Sequence, residues 1–150
     1  MKAQIKHIFP ILMILLTASC SKERADITVH YHLTNVSDYD LRIRTSKSYA
    51  LDLPRQATDG FTDVTEGIDY HGSCSFKSAF EDACILTIAY NDVGYDYDMS
   101  QRTSGGFKDI RSYIVHKDAP REYTAEYSIG NREIVEYLVD LGVLGNSDRY

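Results

Sequence analysis

Ile27-Thr-Val-His-Tyr-His-Leu-Thr34 alternates apolar and polar side chains without a break. Ile27, Val29, Tyr31 and Leu33 fall on one face, and Thr28, His30, His32 and Thr34 on the other. A period of two carried by β-branched and aromatic residues is the pattern of a half-buried strand. The turn-rich run Asn35-Val-Ser-Asp-Tyr-Asp40 ends it. Leu41 and Ile43, opposite Arg42 and Arg44, make a second short strand. Tyr49, Leu51 and Leu53 make a third, stopped by Pro54.

Further along, Cys84-Ile-Leu-Thr-Ile-Ala-Tyr-Asn91 is the most apolar stretch outside the N-terminus and predicts a central strand buried on both faces. Asn91-Asp-Val-Gly94 suits a type I turn with Gly94 left-handed as a bulge residue. Tyr95, Tyr97 and Met99 then alternate with Asp96 and Asp98, completing a hairpin. Tyr123, Ala125, Tyr127 and Ile129, opposite Thr124, Glu126 and Ser128, predict another strand, and Ile110 to His116 forms a further apolar segment. Asn131 is placed to cap a short helix over 132–141, whose Ile134, Leu138 and Leu141 share a face and which Gly142 ends. Between Arg55 and Asp82 the pattern weakens to isolated anchors (Phe61, Val64, Ile68), with Cys74, Phe76 and Phe80 hinting at one more strand. Seven or eight short strands with one late helix predict an all-β, antiparallel, immunoglobulin-like β-sandwich, since no interposed helices supply parallel crossovers.

Composition agrees. The chain has 150 residues, 43% apolar and 25% charged, which is enough for one domain with a core and excludes a wholly disordered chain. The net charge of −6, with both signs scattered, argues against a nucleic-acid surface.

The N-terminus carries a different signal. Lys2 and Lys6 precede Ile8-Phe-Pro-Ile-Leu-Met-Ile-Leu-Leu16, too short for a spanning helix and suited to a signal-peptide core. Thr17-Ala18-Ser19-Cys20 follows and resembles the lipobox of bacterial lipoproteins, with Thr17 where Leu is preferred. The resemblance implies removal of residues 1–19, lipidation (palmitate among the acyl groups) of Cys20, and anchoring at a membrane without a transmembrane helix. Removal takes away two basic residues and no acidic one, so the net charge falls from −6 to −8. Ser21 stands where an Asp would resemble an inner-membrane retention signal. Lys22-Glu23 resembles a surface-export signal, which implies an outer-membrane location facing the cell surface, the alternative being the periplasm. The expected organisation is 20–26 lipidated Cys and tether, 27–141 sandwich with terminal helix, and 142–150 flexible tail. With His30-Tyr-His-Leu-Thr-Asn-Val-Ser37, Tyr90-Asn-Asp-Val-Gly-Tyr95 and the Tyr123–Ile129 strand, the chain resembles small lipoproteins of Bacteroidales-type bacteria. That resemblance implies a β-sandwich and a location, and offers no catalytic residues.

Several residues are candidates for chemistry. Cys74 and Cys84 are the two cysteines left after Cys20. In an exported protein they suggest a disulfide closing an 11-residue loop, contributing roughly 2.7 kcal/mol, with two buried thiols as the alternative. His30 and His32 share a strand face, but two imidazoles fall short of a metal site, and a solvated face explains them. Asn91, Asp92, Asp96 and Asp98 cluster oxygens suited to Ca²⁺ without the spacing of an EF-hand loop, and a charged outer face explains these too. No metal and no cofactor are therefore expected. Twelve Tyr could stack on sugars, yet Tyr31, Tyr95, Tyr97, Tyr123 and Tyr127 alternate in phase with core residues, and there is no Trp. No G-x-S-x-G, H-E-x-x-H or P-loop occurs, so no catalytic residue is assigned and the chain is read as not an enzyme. The expected function is a lipid-anchored, non-catalytic binding or structural accessory of the envelope, partnered by the membrane and by an envelope protein or glycan. The alternatives are a surface glycan- or host-ligand-binding module and a small hydrolase with an unrecognised site.

Overall fold

The computed structural model describes residues 24–70, 73–102 and 105–149. For Tyr70, Ser73, Cys74 and Gln101 it describes the backbone alone. Cys20 and the whole predicted leader lie outside these residues. Nine strands form two sheets: β1 (Ala25–Asn35), β2 (Asp40–Thr45), β3 (Ala50–Leu53), β4 (Thr58–Tyr70), β5 (Ser73–Phe76), β6 (Cys84–Tyr90), β7 (Val93–Asp98), β8 (Ile114–Ala119) and β9 (Glu122–Ile129). One helix, α1 (Asn131–Asp140), follows. The first sheet has the order β5-β4-β1-β9-β8 and the second β3-β2-β6-β7. After β1 the chain builds hairpins alternately in the second and first sheets, β2–β3, β4–β5, β6–β7 and β8–β9. An all-β two-sheet fold is therefore present, as the alternation predicted.

The sheets are not wholly antiparallel. β1 is flanked by β4, antiparallel over ten residue pairs, and by β9, parallel from Thr28↔Glu122 to Asn35↔Ile129. The alternating residues of β1 do what the sequence predicts: Ile27, Val29, Tyr31 and Leu33 are buried and join one core with Leu41, Ile43, Leu51, Leu53, Leu86 and Ile88 of the second sheet. Phe80, Phe107 and α1 residues Ile134, Tyr137 and Leu138 complete that core.

Four expectations are corrected. β6 is central in its sheet but buried on one face only, with Ile85 37% exposed, because none of the described residues covers the outer face of the second sheet at that position. The β6–β7 hairpin turns on two residues, Asn91 (φ 50°) and Asp92 (φ 62°), as a type I′ turn, and Gly94 is a strand residue opposite Ala89. Asn and Asp tolerate the left-handed region, so the turn takes them and leaves the glycine in the ladder. β4 is a 13-residue strand where little pattern was visible, because its inward side carries Asp63, Thr65 and Gly67 beside Phe61. Ile110–His116 divides into a 3₁₀ turn at Ile110–Ser112 and the start of β8.

Helix α1 begins one residue early, with Gly130 at the cap position and Asn131 inside the first turn. It ends in a Schellman motif: Gly142 has φ 72°, its N–H donates to Val139 O, and the Val143 N–H donates to Leu138 O. The segment beyond, expected to be loose, returns against the domain. Val143 and Leu144 pack on the core, and Arg149 Nη2 lies 2.7 Å from Asp140 Oδ1.

Candidate binding site on the five-stranded sheet

The inward alternation of β1 forces His30, His32 and Thr34 onto the outer face of the first sheet, which no other element covers among the described residues. Register places their neighbours. His30 faces Thr62 on β4 and Thr124 on β9, His32 faces Gly60 and Glu126, and Thr34 faces Thr58 and Ser128. His30 is satisfied by its surroundings: Nδ1 lies 2.8 Å from Thr62 Oγ1 and Nε2 lies 3.0 Å from Glu122 Oε1. Thr34 and Thr58 share a hydroxyl hydrogen bond of 2.9 Å, and Thr124 donates to Asp118 Oδ2 at 2.7 Å.

His32 differs from His30. Among the described residues neither His32 nor Glu126 has a side-chain hydrogen bond or an ion pair, although the two stand opposite each other on adjacent strands. Gly60 makes room for the imidazole, since a Cβ there would come within 3.2 Å of His32 Nδ1 and 2.2 Å of the Tyr31 carbonyl oxygen. Pairing of β8 with β9 starts at Ile114↔Glu126, so β9 runs on for three residues beyond it. The step leaves a groove of about 610 Å³ lined by His32, Thr34, Thr58, Ser112, Ile114, Thr124, Glu126, Tyr127 and Ser128. Ile114 is 63% exposed at its rim.

No family model matches this sequence, and no curated protein or solved structure was found similar to it.

The other candidate residues take ordinary places. Among the described residues no three His, Cys, Asp or Glu side chains come close enough to share a metal ion. The acidic cluster is dispersed: Asp92 is in the turn, Asp96 pairs with Arg44 at 3.1 Å and accepts from Thr87 Oγ1 at 2.6 Å, and Asp98 accepts the Ser100 N–H at 2.8 Å. The hydrogen bonds from Ser100 hold the Asp98 carboxyl below its ordinary value. Cys84 is a free thiol, 1% exposed on β6 of the second sheet, and burial pushes its pKa up to about 12. Cys74 stands on β5 of the other sheet, opposite Asp69, and its side chain lies outside the described residues.

Tyrosines serve packing. Tyr31, Tyr97 and Tyr123 are buried, and Tyr95 and Tyr127 are half-buried against the core. Tyr137 stacks on Tyr97 at 4.7 Å under the Arg102 guanidinium, 4.6 Å from its ring. The hydroxyls of Tyr127 and Tyr137 both donate to Glu133, which ties α1 to β9, and burial followed by that carboxylate raises both phenol pKa values.

Sequence reasoning found His32 but missed Glu126, Thr58 and Ile114 as its neighbours. Alternation assigns Glu126 an outward face, but the pairing of β1 with β4 and β9, and of β9 with β8, is what brings these residues together.

Proposed function

We propose that this chain is a lipoprotein anchored through Cys20 in the outer membrane and facing the cell surface. There it serves as a non-catalytic binding or structural accessory of the envelope, with a β-sandwich that is immunoglobulin-like in the broad sense. The position of Cys20 carries the reading. The thiol follows the small residues Thr17-Ala18-Ser19, and β1 opens at Ala25, leaving four residues between thiol and domain. Four residues reach no more than about 14 Å. The start of β1 would therefore stand beside the lipid headgroups, and the loops around Asn35, Pro54 and Asn91 would point away. The groove at His32 and Thr34 would lie about 25 Å along the strand from the membrane-proximal end.

Metabolic labelling with an alkyne palmitate analogue tests the anchor. Label on the wild type that disappears in Cys20→Ala, with Cys20→Ala leaving the outer-membrane fraction, is the expected result. An unlabelled wild-type chain would end the proposal. Digestion of intact cells with an impermeant protease then reads the side, and protection in intact but not lysed cells would assign the domain to the periplasm.

The reading of the tyrosines as a sugar-stacking platform loses its support, because Tyr31, Tyr97 and Tyr123 are buried in the core.

A further inference from the structure

We draw no further inference here: the strongest candidate, the apolar slot between β5 and the β8–β9 hairpin lined by Phe76, Val115 and Tyr123, carries nothing, because the cations at its rim are already paired, Arg111 with Asp109 and Lys117 with Asp69, and nothing in the structure shows what covers it.

Discussion

Asp38 and Asn131, 93 residues apart, hold each other through two hydrogen bonds. The Asp38 N–H donates to Asn131 Oδ1 at 2.7 Å, and Asn131 Nδ2 donates to Asp38 Oδ2 at 2.6 Å. Asn131 thus spends its side chain on the β1–β2 loop instead of capping its own helix. Asn131→Ala should cost about 1 kcal/mol in urea unfolding, from two exposed bonds. A matching Asp38→Ala should add little in the double variant, because both substitutions remove one shared interaction. Full additivity would show that the two residues act separately.

Asp63, 4% exposed on the inward side of β4, is held by Lys47 Nζ at 2.6 Å across the gap between the sheets. Lys47→Met leaves that carboxylate buried without its cation and should cost about 2 kcal/mol. The Lys47→Met/Asp63→Leu pair should recover most of this, since it removes the stranded charge. Denaturant midpoints of the three variants decide it, and a double variant no better than Lys47→Met would refute the account.

The β6–β7 turn makes opposite demands on neighbouring positions. Asp92 has φ 62°, so Asp92→Gly relieves a left-handed residue and should stabilise by about 0.5 kcal/mol. Gly94→Ala should be close to neutral, because its Cβ would meet Thr87 Cγ2 at an ordinary 3.4 Å. A large loss for Gly94→Ala would restore the bulged turn that the sequence suggested.

Cys84 should resist thiol reagents in the native protein at pH 8, since it is buried and its pKa is raised to about 12. Unfolding in urea should make the Cys84 thiol reactive. A protein that yields thiols only after reduction would contain the bridge instead.

Stability should fall at both ends of the pH scale. Arg111 beside Asp109 takes that carboxyl down to about 2, and Lys117 and Ser100 lower Asp69 and Asp98. Groups depressed in the fold stabilise it above their unfolded value near 3.9, and this is lost as pH falls toward about 2. Cys84, Tyr113, Tyr127 and Tyr137 are raised, chiefly by burial. Their contribution is complete below the unfolded values of about 8.5 and 10, and is lost as pH climbs beyond them. Urea midpoints should therefore form a plateau from about pH 5 to 8, and a midpoint still rising at pH 10 would contradict the tyrosine assignment.

The strands legible in the sequence are those whose inward residues are apolar. β1, β7 and β9 alternate cleanly, and the apolar run of β6 marks it as a strand. β4 escapes notice because Asp63 is neutralised by a lysine from another hairpin, a partner that no local pattern announces. β8 escapes because, apart from half-buried Ala119, its residues are exposed on both faces, so no period distinguishes inside from outside. The candidate site was half visible. Alternation set His32 outward, but Glu126 lies 94 positions away and reaches it only through the parallel pairing of β1 with β9.

That pairing also bears on how the domain answers to force. β1 enters from the end nearest Cys20, and β9 leaves at the opposite end, toward α1. A pull on Arg24 opposed by a pull on the helix runs along both strands, so eight facing residue pairs must slip together rather than open one after another. The antiparallel β1–β4 ladder adds its ten pairs on the other flank. Tension applied this way would meet the domain in shear, and a load that peels an edge strand such as β8 would meet far less resistance.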